Sequence, residues 1–175
     1  MSGPSAIGKT TTVKTILSLN KSVTHYRPVT NRIPRPDEIE NVDYTFVSTK
    51  NYSDFQEQYI CTSLFDGIFY GYPRLDLPGD NVYITACSLY SAIQLAKHVD
   101  NVYRVFLFPS NIDLLKNRLL SRNLTHKEVQ KRMKGIEDEI RLYYQDNVDI
   151  ITYYISSDCD NKRANEQLKR LVSTM

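Results

Sequence analysis

The chain has 175 residues, 41% of them hydrophobic and 24% charged, with a net charge of +2 from 22 basic and 20 acidic side chains. That composition suits one domain with a real buried core and excludes a disordered tail, a collagen-like fibre and a disulfide mini-protein. The charge balance gives no reason to expect nucleic-acid binding, no apolar run approaches the roughly 20 residues of a membrane span, and a charged-then-apolar signal segment is missing, which argues against secretion. Cys61, Cys87 and Cys159 are scattered without metal-ligand spacing and read as reduced thiols of a cytoplasmic protein.

In chain order, a phosphate-loop-like opening (residues 1–10) leads into a helix predicted from Thr11 to Leu19. Between Thr24 and Asp43, Pro28, Pro34 and Pro36 forbid a long helix. The alternation in Tyr44-Thr45-Phe46-Val47 predicts a short strand, and Asp54 to Ile60 a short helix. Phe65 to Gly79, with three glycines and two prolines, reads as loop.

After Asp80 the pattern changes. Val82 to Cys87 reads as a strand, Ser88 to His98 as a helix, and Val102 to Phe108 as a buried parallel strand. Ser110 and Asp113 can cap a helix running to about Ser121. Thr125 and Glu128 form a capping box before a long helix whose apolar stripe is Val129, Met133, Ile136, Ile140 and Tyr143. Asp149 to Ile155 is the last strand and Asn161 to Val172 the last helix. Strands alternating with helices imply an α/β domain built on a parallel sheet.

Gly3-x-x-x-x-Gly8-Lys9-Thr10 is a complete Walker A motif. The glycines let backbone N–H groups turn around phosphate oxygens, Lys9 brings a positive charge to the β/γ-phosphates, and Thr10 offers a hydroxyl to Mg²⁺. The predicted ATP-binding residues are Gly3, Ser5, Ala6, Ile7, Gly8, Lys9, Thr10 and Thr11, with Thr10 the metal residue. Such a motif normally hangs from a buried strand, yet only Met1 and Ser2 precede Gly3. The usual first strand is therefore expected to be missing or truncated, and an absent central strand would leave two neighbours with unpaired edges.

The order of motifs resembles the guanylate kinase family over nearly the whole chain. Thr30-Asn31-Arg32-Ile33-Pro34-Arg35-Pro36-Asp37-Glu38 resembles its T-T-R-x-P-R-x-G-E segment, Asn41 to Ser48 its G-x-D-Y-x-F-V-S segment, and Phe65 to Gly71 its F-x-G-x-x-Y-G segment. Arg118-Leu119-x-x-Arg122, then Thr125 to Arg132, resembles the lid and the helix after it. The resemblance implies a three-layer P-loop kinase fold, a parallel sheet flanked by helices. It implies a core of residues 1–23, 76–121 and 133–175, an acceptor-binding lobe of 24–75 and a lid of 122–132.

It further implies ATP-dependent phosphorylation of a (deoxy)nucleoside 5′-monophosphate, GMP or dGMP first, with Mg²⁺. Arg32, Arg35, Tyr44 and Tyr70 would clamp the acceptor phosphate, where arginines and phenols are suitable donors. Lys9, Arg122 and Arg132 would stabilise the transferring phosphoryl group. The lid is one residue shorter than the pattern, and Arg132 could equally belong to a solvated face with Lys127, Lys131 and Lys134.

The departures fall at the base-reading positions, predicted as Cys61, Tyr72 and Cys87. Pro28 replaces a serine, Cys61 a glutamate that reads guanine, and Tyr72 a small hydroxyl residue. Thr85-Ala86-Cys87 replaces a D-x-D, and Ile155-Ser156-Ser157 stands where an adenine-side asparagine is usual. Guanine needs an acceptor for N1–H and N2–H₂, and a thiol is a weak one, so base specificity is expected to be altered. Asp66, Asp76 or Asp80 could supply a substitute carboxylate. A sugar-phosphate kinase of the same fold, or a binding module without turnover, are the alternatives; retained Lys9 and Thr10 argue against the second.

Overall fold

A computed structural model describes residues 1–36, 38–48, 57–65, 67–74, 81–122, 124–145, the backbone of 151–155, and 170. Its elements run α1 (Lys9–Leu19), β1 (Val23–His25), β2 (Val29–Thr30), β3 (Thr45–Phe46), β4 (Tyr59–Phe65), β5 (Ile68–Pro73), β6 (Val82–Ile84), α2 (Leu89–Leu95), β7 (Val105–Pro109), α3 (Ile112–Leu120), α4 (His126–Gln145) and β8 (Ile151–Ile155).

The core sheet is parallel. β1 pairs with β6, and β7 with β8. Met1 and Ser2 fill the slot between these pairs. Met1 N donates to the Thr85 carbonyl (2.7 Å) and Met1 O accepts from Cys87 N–H (2.9 Å). On the other side Ser2 N–H donates to Val105 O (2.7 Å) and Leu107 N–H to Ser2 O (2.9 Å), a parallel bridge opposite Phe106. Met1 and Ser2 thus lie between the two pairs and bond to both. Fully buried Ser2 adds a hydroxyl bond to Val105 O.

Around this sheet lies a core of Ile7, Val13, Ile16, Val105, Leu107, Leu115, Leu119, Val129 and Ile136. The capping box forms as predicted: Thr125 N–H donates to Glu128 Oε2 (2.8 Å), and Glu128 N–H to Thr125 Oγ1 (3.3 Å). The α4 stripe also holds. Val129 and Ile136 are buried, Met133 and Ile140 pack against them, and Tyr143 stacks on Phe106. α3, however, is capped by Asn111, whose side chain accepts from Asp113 N–H, and not by Ser110.

The acceptor-side lobe is a four-stranded mixed sheet in the order β3-β2-β5-β4. Here the sequence reading needs correction. Residues 59–65 and 68–73 form a hairpin, where a helix end and a loop were predicted. Gly71 sits inside β5, where a Cβ would meet the Tyr59 and Phe69 rings at 2.7 Å. It is there for close packing, not for a turn. The turn belongs to Gly67, with φ of 71°. β1 and β2 likewise form within the proline-rich stretch, and α1 starts two residues earlier than predicted, at Lys9. The first part of the predicted Asp54–Ile60 helix, nearly all of the last helix, and Cys159 lie outside the described residues.

Candidate active site

The phosphate loop forms by backbone geometry that its glycines permit. Gly3 has φ of 139°, and a Cβ there would strike the Leu107 carbonyl at 2.6 Å. Gly8, with φ of 106°, has open space above it and leads directly into α1. Ala6 also adopts a positive φ, 65°, which costs a non-glycine residue of order 1 kcal/mol. Ala6 and Ile7 are buried, so their contribution to a nucleotide is through backbone groups; Ser5 is half-buried and Thr11 exposed.

Lys9 Nζ donates to Gly3 O (2.5 Å) and Pro4 O (3.0 Å), curled into its own loop. From α3, Arg118 Nη1 donates to the carbonyls of Ala6 (3.2 Å) and Ile7 (3.3 Å). Burial pulls the Lys9 pKa down, and Glu139 on α4 is the largest influence opposing it. The positive charges of Arg35 and Arg122 lower it further. Arg132 stands half-buried near the start of α4.

Thr10 lines a cavity with Val13, Pro28, Asp43, Tyr44 and Ala86, between α1 and the lobe. Its hydroxyl is a hard oxygen donor suited to Mg²⁺. Among the described residues no group of three His, Cys, Asp or Glu side chains could hold a metal ion.

The four predicted clamp residues come together around Tyr44, which lines this cavity. The Arg32 guanidinium lies 5.3 Å from the Tyr44 ring centre, and the Tyr44 and Tyr70 rings are 6.3 Å apart. Glu38 organises both arginines. Arg32 Nη2 reaches its two oxygens at 2.7 and 2.8 Å, and Arg35 donates through its backbone N–H (2.9 Å) and Nη1 (3.4 Å). Arg32 Nε is buried with no hydrogen-bond partner among the described residues, a donor still to be used. Burial pushes the Tyr44 hydroxyl up to about 12, so it stays a neutral donor. Behind the clamp, Asp43 pairs with Lys14 of α1 at 2.8 Å and accepts from Ile39 N–H, tying lobe to core.

The three predicted base-pocket residues also cluster, but as packed core. Tyr72 is 1% exposed, and it joins buried Tyr26, Cys87, Ala92 and Leu95, with Cys61 against them. The Tyr26 and Tyr72 rings are 6.3 Å apart, and the Tyr72 hydroxyl bonds to the Ser91 side chain. Ser91 in turn donates to Ser63 across the lobe boundary (3.1 Å). Burial pushes the Cys61 thiol up to about 12, and Cys87 is raised for the same reason. Asp66, Asp76 and Asp80 lie outside the described residues.

Sequence reasoning missed Glu38, Glu139, Arg118 and Asp43 as site residues. Glu38 follows Arg35 by three, and Arg118 opens the quoted lid segment, so both had a local signal. Glu139 had none beyond its seven-residue spacing from Arg132.

A phosphate-binding loop at the edge of a parallel sheet, an arginine–tyrosine clamp opposite, and arginines from a third segment define a P-loop phosphotransferase. A guanylate kinase family model matches residues 1–173. The guanylate kinase of Maricaulis maris is 31% identical over 98% of this chain and 80% of its own length; that of Oceanobacillus iheyensis is 27% identical over 99% and 85%. The guanylate kinase structure from Anaplasma phagocytophilum superposes with a TM-score of 0.71 at 20% identity, covering 95% of this chain and 81% of that one, a likeness of fold. The chain belongs to the guanylate kinase family, and it is a nucleoside monophosphate kinase.

Proposed function

We propose that this enzyme transfers the γ-phosphoryl group of Mg·ATP to a (deoxy)nucleoside 5′-monophosphate, with GMP or dGMP the first acceptor and base discrimination weaker than a complete guanine site gives. One observation carries this reading. Thr10, next to Lys9 of the loop, lines one cavity with Tyr44, around which Arg32, Arg35 and Tyr70 gather, whereas the positions that resemble base readers hold buried Tyr72 and Cys87 and half-buried Cys61. A base therefore meets few polar partners, while its phosphate meets many.

Lys9 would leave the Gly3 and Pro4 carbonyls to meet the β/γ-phosphates. Arg32 Nε and the Tyr44 and Tyr70 hydroxyls would hold the acceptor phosphate in line, and Arg122 and Arg132 would neutralise charge developing on the transferred oxygens. Thr10 would hold Mg²⁺, which would supply further charge neutralisation when bound. Core, acceptor lobe (24–75) and lid (122–132) divide these tasks. Among the described residues no helix is long and apolar enough to cross a membrane; a cytoplasmic setting is part of this proposal.

The test is coupled ADP release against GMP, dGMP, AMP, dTMP, dUMP, dCMP and ribose phosphates. Turnover with at least one nucleotide supports the reading. Turnover with ribose phosphates alone would move the chain to the sugar-phosphate alternative, which the filled base slot keeps on the panel.

A further inference from the structure

We propose that Lys14 and Asp43 are a positioning pair for the acceptor: their ion pair fixes the segment that carries Tyr44 to the helix that carries Lys9 and Thr10, and so sets the clamp at one distance from the phosphate loop. This rests on the kinase reading above.

α1 begins with Lys9 and Thr10, and Lys14 follows Thr10 by four residues, one turn along the same face. Thr10, Lys14, Asp43 and Tyr44 all line the cavity between α1 and the lobe. Lys14 Nζ reaches both carboxylate oxygens of Asp43, at 2.8 and 3.1 Å. The Asp43 side chain is only 2% exposed, against 46% for Lys14. Asp43 and Ile39 exchange two further bonds: Ile39 N–H donates to Asp43 Oδ2, and Asp43 N–H to the Ile39 carbonyl, each at 3.0 Å. The flanking residues are held as well. His25 Nδ1, on β1, donates to the Val42 carbonyl (2.9 Å), and Thr45 N–H donates to the Pro28 carbonyl (3.1 Å). Tyr44 thus sits between anchored neighbours on both sides.

A buried carboxylate is costly unless it is paired, so it tolerates few positions. An apolar contact at this boundary would slide at little cost, whereas a slide here breaks a charge-assisted hydrogen bond. Burial pushes the Asp43 carboxyl up, but its bonds to Lys14 and to Ile39 N–H outweigh this and hold it below its ordinary value, which keeps it ionised. Tyr44 follows Asp43 directly, and its ring lies 5.3 Å from the Arg32 guanidinium and 6.3 Å from the Tyr70 ring. A displaced Asp43 therefore moves the centre of the clamp. The loop residues, Gly3 to Thr10, all precede Lys14 and keep their own backbone geometry without it. Breaking the pair should be felt by the acceptor and hardly by ATP.

The test compares K14M, K14R, D43N and the double variant K14M/D43N with the wild type. In K14M the acceptor KM should rise at least about threefold while that of ATP stays within about twofold. K14R keeps the charge and should recover most of the loss. The double variant should be no worse than the poorer single one, because both changes break the same contact. Amide exchange at Ile39 and Thr45, read by NMR without any nucleotide, should quicken in K14M. A smaller rise in the acceptor KM, an equal rise for ATP, or additive losses in the double variant would each overturn the role. Should D43N fail to fold, half-exposed Lys14 carries the test: K14M and K14R decide through the same KM split and exchange rates. A wild type silent to every acceptor would defeat the kinase reading. Exchange at Ile39 and Thr45 would then still decide whether Lys14 holds the Tyr44 segment, and rates unchanged in K14M would overturn the pair.

Discussion

On the reading proposed above, the phosphate loop and the base slot answer to different constraints. The loop handles a group common to every nucleoside triphosphate, so its chemistry is written in backbone: Gly3 at a carbonyl, Gly8 at a helix start, Lys9 returning onto Gly3. The slot must recognise one base among several, so its chemistry lies in side chains. In this chain those are Pro28, Cys61, Tyr72 and Cys87. The first region is intact as a machine for phosphate; the second has been rebuilt as packing. Catalytic competence and substrate identity are thus separable within one small enzyme.

The comparison breaks most sharply at Lys9. Lys9→Ala should reduce turnover by on the order of 10²–10³-fold or more with the fold retained, checked by ADP release and circular dichroism. Near-normal turnover would mean that the loop is only a structural turn.

Next comes the clamp. Arg35→Ala should raise the acceptor KM about 10- to 150-fold, the equivalent of ~1.5–3 kcal/mol, and shift that of ATP far less. Arg35 is a cleaner target than Arg32, whose loss would strip buried Glu38 of its two shortest contacts. Equal effects on both substrates would show that this arginine pair does not divide acceptor from donor.

The smallest effect sharpens the other side. Cys61→Glu should favour GMP over other monophosphates by on the order of tenfold, short of the 10⁴–10⁵ of a complete hydrogen-bonding site, because Pro28 still donates nothing to guanine O6. The burial that lifts the Cys61 thiol to about 12 would also raise the new carboxyl's pKa. Only its ionised form accepts from both N1–H and N2–H₂, so the GMP preference should grow from pH 6 to pH 8. Steady-state kinetics at both pH values check it; no shift at either would place base reading elsewhere.

How far each region could be read from sequence follows the same division. The loop and the α4 capping box are local patterns with fixed spacing and formed where the residues said, and α1 formed with only its start moved two residues forward, to Lys9. The β4–β5 hairpin was misread because Gly71 and Pro73 look like loop punctuation. Gly71 instead makes room for the Tyr59 and Phe69 rings, a tertiary demand with no local trace. Glu139 was invisible for a related reason. It stands beside exposed Glu137 and Asp138 on a charged helix, and only the packing of α4 against α2 turns it toward Leu89. The clustering of Cys61, Tyr72 and Cys87 was legible as a set of departures, but that they would pack into a closed core was not.

The seat of Met1 and Ser2 between the strand pairs has a kinetic consequence. Met1 closes onto Thr85 across 84 residues, and Ser2 onto Val105 across 103. Contacts of such separation demand loop-closure entropy before they return any stability, and a chain dominated by them folds slowly. A longer strand would spread that demand over many ladder bonds. Here a handful must form together, and Gly3 begins at the very next residue. A chain with helices in place but residues 1–2 unseated has a loose loop and nothing to hold a triphosphate. Recovery of nucleotide binding during refolding should therefore coincide with closure of the sheet, not with the earlier gain of helix.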